Sequence, residues 1–118
     1  TDTLNMIIKK SASNNSLSFK SNKELYNVKI SDILYICKDY ESNKVKIVTT
    51  NKEYLVRDSL ANISKKLNSR FYQSHRCCYI NLDSVKKVDF KNSTIYFTND
   101  KTTDYLSRNY KKDLRKIL

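Results

Sequence analysis

Residues 70–82 read RFYQSHRCCYINL and carry the strongest structural signal in the sequence. Apolar side chains alternate with other residues through the second half of this segment, at Cys78, Ile80 and Leu82. An alternation with a period of two is typical of a β-strand that buries one face. We expect two strands here, Phe71 to Ser74 and Cys77 to Leu82, separated by a break at His75 and Arg76.

The same alternation extends outward from this segment in both directions along the chain. It recurs at residues 4–8, 26–30, 45–47, 88–90 and 95–97. Polar stretches that favour turns lie between these segments, at residues 11–15, 21–23, 39–43, 50–52, 91–93 and 99–101. Short strands with frequent turns predict a mainly β fold with short helices, built from small antiparallel sheets.

Two segments have the spacing of helices. The first begins at Asp58 or Ser59, either of which is a good N-cap residue, and extends to Leu67. Its apolar residues are Leu60, Ile63 and Leu67. The second begins at Ser107, whose side chain we expect to cap it, and runs to the C-terminus, with Tyr110, Leu114, Ile117 and Leu118 on one face.

The length and composition indicate one domain over residues 1–118. A chain of 118 residues is long enough to bury a core without disulfides or metals. It begins with Thr1, so we expect a piece of a longer protein, and no apolar run approaches the length of a membrane helix. We expect a cytoplasmic domain with no membrane partner. Glycine and proline are absent, so asparagine, aspartate and serine must form the turns.

The chain is strongly basic, with 23 Lys and Arg against 12 Asp and Glu and a formal net charge of +11. Such a charge favours a polyanionic partner, nucleic acid first and anionic membrane second. A lysine-rich proteome would give the same composition without a function. The cations are clustered, however, because residues 59–82 contain no acidic side chain and the last turns are rich in Lys and Arg. Clustering favours a nucleic-acid footprint.

Few residues in the sequence suit catalysis or metal binding. There is one histidine, and the three cysteines have no C-x-x-C spacing, which argues against zinc and a disulfide framework. If Cys77 and Cys78 lie in one strand they face opposite sides, so we expect at most one in the core. Metal-dependent nucleases often use an Asp followed by a Glu-x-Lys element on a strand. Here Asp39 and Glu41 precede Lys44, but the spacing is Glu-x-x-Lys and falls in a predicted loop. We predict no enzyme activity, no metal and no cofactor.

Polar side chains suited to DNA occur at three points of the chain, where loops meet strands or a helix. They are Asn43 and Lys44, His75 and Arg76, and Arg108 and Asn109. Arginine contacts guanine through two hydrogen bonds in the major groove, and asparagine does the same for adenine. Lysine binds phosphates without reading sequence. Lys111 and Lys112 on the second helix suit phosphate contact and simple solvation equally well.

The nine tyrosines and four phenylalanines raise the alternative of RNA or single-strand binding by base stacking. Phe71, Phe90 and Phe97 fall on apolar positions of the alternating pattern, so core packing explains them better. A nonspecific polyanion- or RNA-binding module remains the second hypothesis.

The segment 70–82 resembles the signature of the LytTR DNA-binding family, in which an aromatic pair precedes a His-Arg or His-Asn step and an apolar strand ending in Asn. Residues 107–112, SRNYKK, resemble the closing element of that family. The helix at 59–67 and the strand and polar loop at 33–43 also agree in order. The resemblance covers essentially the whole chain.

This resemblance implies a compact β-rich fold that inserts loops into successive major grooves of double-stranded DNA. Members usually follow a receiver domain in response regulators that control virulence, bacteriocin or quorum-sensing genes. They pair on direct repeats, and we expect a monomer in the absence of DNA.

By the same resemblance, the base-reading residues are Asn43, Arg76 and Arg108. The residues assigned to phosphates are Lys44, His75, Asn109, Lys111 and Lys112. Relatives often carry His where this chain has Asn43, so the base read there is open. His75 has a second interpretation, as a hydrogen-bonding strut that orients Arg76.

Overall fold

The computed structural model describes residues 16–117, and most of them lie in short strands. The strands are β1 (Ser16–Ser21), β2 (Glu24–Lys29), β3 (Ile33–Asp39), β4 (Lys44–Thr49), β5 (Glu53–Val56), β6 (Phe71–His75), β7 (Cys78–Asn81), β8 (Val85–Asp89), β9 (Thr94–Phe97) and β10 (Thr102–Thr103). The helices are α1 (Leu60–Ser64) and α2 (Arg108–Ile117), with 3-10 turns at Ile30–Asp32 and Leu82–Ser84. The predicted mainly β fold is confirmed. The predicted strand at 4–8 and turn at 11–15 lie outside the described residues.

The strands form three antiparallel sheets, as the turn-rich pattern predicted. A five-stranded sheet has the order β5-β4-β3-β7-β6, β1 pairs with β2, and a three-stranded sheet has the order β10-β9-β8. The five-stranded sheet is central because hydrophobic clusters cover both of its faces. The β1–β2 hairpin and α1 cover one face, and the three-stranded sheet and α2 cover the other.

Strand β3 lies in the middle of the five-stranded sheet and contributes to both hydrophobic clusters. Ile33 and Ile36 pack toward the β1–β2 hairpin, whereas Leu34 and Cys37 pack toward the three-stranded sheet. Its register with β4 shifts between Ile33 and Tyr35. This irregularity lets Leu34 and Tyr35 pack on the same side, which a regular strand forbids. A strand buried on both faces shows little alternation, and this explains the run of apolar residues at 33–37.

Among residues 16–117, five turn residues have the left-handed backbone that glycine usually supplies. They are Asn22, Lys23, Asn43, Ser93 and Asp100, with φ between 52° and 68°. Asn and Asp adopt this conformation more readily than most residues. The expectation that asparagine, aspartate and serine would form the turns is confirmed, with Lys23 as the exception.

Both predicted helices are present, with changes at their ends. The Ser59 Oγ accepts a hydrogen bond from the Asn62 amide (3.1 Å), and the Asp58 carboxylate accepts from the Ser59 amide (2.7 Å), so both residues stabilise the start of α1. Helix α1 ends at Ser64 instead of Leu67, because the next amides bond three residues back and tighten the final turn. No helix among residues 16–117 is long and apolar enough to cross a membrane.

The cysteines differ from the expectation in one respect. Cys77 and Cys78 are both buried, because Cys77 lies in the turn between β6 and β7 and not in a strand. Because Cys77 precedes the first residue of β7, the alternation of side chains along a strand does not force Cys77 and Cys78 to opposite faces. All three cysteines are free, and burial raises the pKa of the Cys37 thiol to about 11 and that of Cys78 well above its ordinary value.

Candidate nucleic-acid interface

Two of the three predicted contact points lie side by side at one end of the five-stranded sheet. The β3–β4 turn, residues 40–43, carries Asn43, and the β6–β7 turn carries Arg76. Strands β3 and β7 are neighbours, and the Lys38 amide donates a hydrogen bond to the Cys77 carbonyl (2.9 Å). We call this end of the sheet the turn end.

A shallow cavity of about 240 Å³ at the turn end brings these side chains together. Asn43, Lys44 and Arg76 all contribute to its wall. Asn43 and Arg76 are exposed, and Lys44 is half-buried as the first residue of β4. Residues 33 positions apart in sequence therefore share one solvent-facing surface. The left-handed backbone of Asn43 (φ 58°) gives this residue a structural role in the turn as well.

The third contact point is attached to the second by hydrogen bonds. The Ser107 amide, immediately before α2, donates to the Ser74 carbonyl (2.9 Å), and the Ser74 Oγ donates to the Tyr105 carbonyl (2.7 Å). The register of β6 and β7 shifts at this position, between Gln73 and His75. This bulge turns Ser74 toward the segment before α2, so α2 begins beside the end of β6, and its first residue, Arg108, is exposed.

Ser107 begins α2 through its backbone and not through its side chain. The Ser107 carbonyl accepts from the amides of Tyr110 and Lys111 (both 3.1 Å). Its Oγ is buried and has no hydrogen-bond partner among the described residues. The predicted side-chain cap is therefore wrong. The first amides of α2, close to Arg108 and Asn109, have no side-chain acceptor from this serine.

His75 is half-buried and joined to the turn that follows it. Its Nδ1 accepts a hydrogen bond from the Cys77 amide (3.2 Å) and lies 3.0 Å from the Cys77 Sγ. Its ring lies 5.3 Å from the ring of Tyr105. These contacts fit the interpretation of His75 as a strut. An imidazole that accepts at Nδ1 carries its proton on Nε2, so the second nitrogen is a donor suited to a phosphate.

The two adjacent lysines of α2 have different environments. Lys111 is half-buried, and its Nζ donates to the Phe90 carbonyl (2.8 Å). Lys112 is exposed on the same side as Arg108, four residues earlier. Asn109 is also exposed, and the Arg115 guanidinium lies over the Phe90 ring at 4.7 Å. The Lys112 ammonium can therefore reach a phosphate directly, whereas the Lys111 ammonium must first break its hydrogen bond to the Phe90 carbonyl.

Tyr40 is a residue at this site that the sequence interpretation missed. It lies in the β3–β4 turn, is 62 % exposed, and lines the same cavity as Arg76. A side-chain hydrogen bond with Cys77 raises the pKa of Tyr40 above its ordinary value. The sequence interpretation explained the aromatic residues by core packing and did not consider Tyr40 for the site. The position of Tyr40 within a polar turn, between Asp39 and Asn43, was the signal that set it apart.

Asp39, one of the acidic residues considered for a nuclease, has a structural role in the β3–β4 turn. The Asp39 carboxylate accepts from the Ser42 amide (3.3 Å) and the Ser42 Oγ (2.6 Å), and this second bond is the main reason that the pKa of Asp39 is lowered. These bonds close the β3–β4 turn. Within residues 16–117, no three His, Cys, Asp or Glu side chains come together as metal ligands.

Comparison with known proteins agrees with the fold described above. The family model of the LytTr DNA-binding domain matches residues 23–118. A solved structure with the same fold is the LytTr DNA-binding domain of a Bacillus cereus protein described as a methyl-accepting/DNA response regulator. It is 19 % identical, covers 87 % of this chain and 95 % of its own, and superposes with a TM-score of 0.72. A comparison with curated proteins gives no match. Because the family model spans most of the sequence, the chain belongs to the LytTR family of DNA-binding domains.

Proposed function

We propose that this domain binds double-stranded DNA sequence-specifically and is the output domain of a two-component response regulator. It reads its operator with Asn43, Arg76 and Arg108, which together with Lys44 we call the reading surface. The observation that carries the proposal is the shared cavity of Asn43, Lys44 and Arg76, with Arg108 tied to the adjacent strand through Ser107 and Ser74.

The order of the strands supports a linear arrangement of these contacts along DNA. In the order β5-β4-β3-β7-β6, the β3–β4 and β6–β7 turns are centred two strand spacings apart, or about 10 Å. Arg108 lies beyond β6, the edge strand. A major groove is about 12 Å wide and recurs about every 34 Å along the duplex, so Asn43 and Arg76 suit a single groove. Arg108, beyond the edge strand, is then the residue that must reach the next groove.

The side chain of each base-reading residue is suited to one kind of base. Arg76 and Arg108 each present a planar guanidinium that donates two hydrogen bonds to guanine O6 and N7. Asn43 pairs its amide with adenine N6 and N7. Tyr40, exposed beside Arg76, offers an apolar ring edge to a thymine methyl group.

The remaining assigned residues hold the sugar-phosphate backbone. Lys44, Asn109 and Lys112 donate to phosphates, and so does the His75 Nε2 while its Nδ1 stays bonded to the turn. Lys111 joins them only by exchanging the Phe90 carbonyl for a phosphate oxygen. The ion pairs found among residues 16–117 all use other cations, namely Lys46, Lys86, Lys101 and Arg70. The reading surface therefore keeps its positive charge for DNA.

The wider context follows from the same proposal. The domain is joined to an N-terminal receiver domain, acts on the genome in the cytoplasm, and is a monomer that pairs on promoter direct repeats. The regulated genes are of the virulence or quorum-sensing class. Phosphorylation of the receiver promotes the pairing.

The test is a competition experiment with Arg76→Ala. We expect the preference of the variant for a cognate over a scrambled duplex to fall by roughly 5- to 150-fold, because one bidentate arginine–guanine contact gives about 1–3 kcal/mol of discrimination. The matched control is Arg70→Ala, which removes the same charge from an exposed arginine that pairs with Asp83 (2.8 Å) outside the cavity.

Unchanged preference in Arg76→Ala, with an unchanged melting temperature, would remove Arg76 from the reading surface. If the wild-type chain itself binds cognate duplex, scrambled duplex and single-stranded RNA of equal charge with equal affinity, it is a nonspecific polyanion-binding module.

A further inference from the structure

A second basic cavity lies beside the reading surface, at the tip of the β1–β2 hairpin. It has a volume of about 360 Å³, and four of the residues in its wall are cations: Lys20, Lys23, Lys44 and Arg57. The other wall residues are Ser21, Asn22 and Leu55, so no carboxylate faces it from the described part of the chain. None of the ion pairs found among residues 16–117 involves these four cations.

The hairpin is held firmly against the central sheet. The Ser21 Oγ donates to the Leu55 carbonyl (2.7 Å), which joins the end of β1 to the end of β5. The buried Phe19 packs its ring against Tyr54 at 5.1 Å, edge to face. The tip has a two-residue turn, Asn22 and Lys23, with φ of 52° and 67°. The cations at the tip are therefore carried on an ordered element.

The cavity is continuous with the reading surface. Lys44 lines both cavities, and β5 ends next to the start of β4, since Val56 pairs with Val45. Arg57 follows β5 directly. Strand β5 is the edge of the sheet opposite to β6, where Arg108 lies. The basic surface thus extends past Asn43, on the side away from Arg108.

We propose that Lys20, Lys23 and Arg57, here called the hairpin patch, bind backbone phosphates of duplex DNA that flanks the base-read site. The proposal rests on the proposed function and extends its footprint. All of strand β1, including Lys20, precedes residue 23, where the match to the family model begins. The acidic residues next to the patch in sequence, Glu24 and Asp58, are both outside the wall of this cavity, although Asp58 lines the neighbouring cavity with Arg76. The four cations of the wall outnumber these two carboxylates.

Duplex DNA fits the patch better than other polyanions because of position. When three exposed lysine and arginine side chains neutralise DNA phosphates, the counterions that were condensed on those phosphates are released, whatever the base sequence. A duplex seated on Asn43 and Lys44 has its backbone continue toward β5. An anionic membrane would meet the same charges and the exposed Leu25 of β2, so it is the competing outcome of the experiment.

The experiment measures binding of the 118-residue chain to a duplex with one copy of the motif that the chain selects and ten or so base pairs on each side (one helical turn). The variant is Lys20→Gln/Lys23→Gln/Arg57→Gln, all exposed positions. We expect about tenfold weaker binding at 150 mM salt and a salt slope lower by about 3. Trimming one flank should abolish the difference between wild type and variant, and trimming the other should leave it.

The matched control is Lys29→Gln/Lys86→Gln/Lys87→Gln, which removes the same charge from the far end of the hairpin and from β8. It should bind the long duplex within twofold of wild type. If its loss equals that of the patch variant, only net charge matters and the proposal is wrong. It is also wrong if the patch variant shows no loss, or if its loss survives both trimmed duplexes.

Two further readouts separate this proposal from the proposed function. The patch variant should select the same motif as wild type, since it alters no base contact; loss of the motif in wild type itself would instead contradict the proposed function. Binding to vesicles of phosphatidylserine and phosphatidylcholine that is lost only in the patch variant, with DNA binding intact, would assign the patch to membranes and overturn the proposal. The single change Lys20→Gln serves if the triple variant is unstable, with a slope change of about 1.

Discussion

At the scale of single residues, Asn81 shows how a buried polar side chain fixes this fold. Its Nδ2 donates to the carbonyls of Ile30 (3.3 Å) and Ile33 (2.9 Å), and its Oδ1 accepts from the Asp83 amide (3.1 Å). It is 2 % exposed. The side chain therefore connects the 3-10 turn before β3 to the one after β7.

We expect Asn81→Ala to lower the free energy of unfolding by about 2–3 kcal/mol, because it leaves buried carbonyls and an amide without partners. Urea denaturation followed by circular dichroism measures the change. The control is Asn92→Ala in the exposed β8–β9 turn, where water replaces the lost bonds. A loss under 0.5 kcal/mol in Asn81→Ala would mean that this network is unimportant for stability.

The lysines of α2 give a prediction that the sequence could not make, since Lys111 and Lys112 looked equivalent there. We expect Lys112→Ala to lower the salt slope of DNA binding by about 1 without affecting stability. Lys111→Ala should instead lower the free energy of unfolding by about 1 kcal/mol through loss of the Phe90 contact. Anisotropy titrations over a salt series and urea denaturation measure the two effects. The same outcome for both variants would contradict the difference in environment.

Sequence and structure agree well on residues whose role is local. The turn at Asn43 and the cap at Ser59 followed from side-chain chemistry, and both are present. Residues whose role depends on distant partners were not predictable. The bond from Lys111 to Phe90 spans 21 positions, and the contact of Tyr40 with Cys77 spans 37. Neither has a periodic or compositional signal.

At the scale of elements, the docking of α2 against β6 positions Arg108. The Tyr72 hydroxyl donates to the Tyr110 carbonyl (2.9 Å), and Leu114 is fully buried in the cluster on that face. We expect Tyr72→Phe to lower the free energy of unfolding by about 1 kcal/mol and to weaken cognate DNA binding, because α2 loses a fixed hydrogen bond. Tyr96→Phe is the control. If Tyr72→Phe matches this control in both measurements, the bond does not position the helix.

The alternation of apolar residues predicted strands that bury one face, whereas β3, which contributes to the hydrophobic clusters on both faces of the five-stranded sheet, shows little alternation. The register shifts were not predictable, including the bulge between Gln73 and His75. The position of a bulge depends on which backbone carbonyl pairs with the opposite strand and which one pairs with another element. Here the Ser74 carbonyl accepts a hydrogen bond from the Ser107 amide, just before α2. Helix α1 also ends at Ser64 and not at Leu67 as predicted. Leu67 still packs against the hydrophobic cluster, but from the turn that follows the helix.

At the scale of the whole molecule, the net charge of +11 predicted a polyanionic partner but not where it binds. Folding collects cations from distant segments at the turn end of the central sheet, while Glu53, Asp83 and Asp100 pair with cations elsewhere. In the walls of the two cavities there, lysines and arginines outnumber the one carboxylate, that of Asp58, which fits the proposed position of a duplex.

The most direct measurement is selection of binding sequences from a random duplex library at moderate salt, followed by sequencing of the bound fraction. If Asn43, Arg76 and Arg108 read bases, the wild-type chain should enrich a short motif that contains guanine. Arg76→Ala should lose one guanine position of that motif while keeping the rest. Tight binding by the wild type with no enriched motif would contradict sequence-specific reading and leave a nonspecific polyanion-binding module.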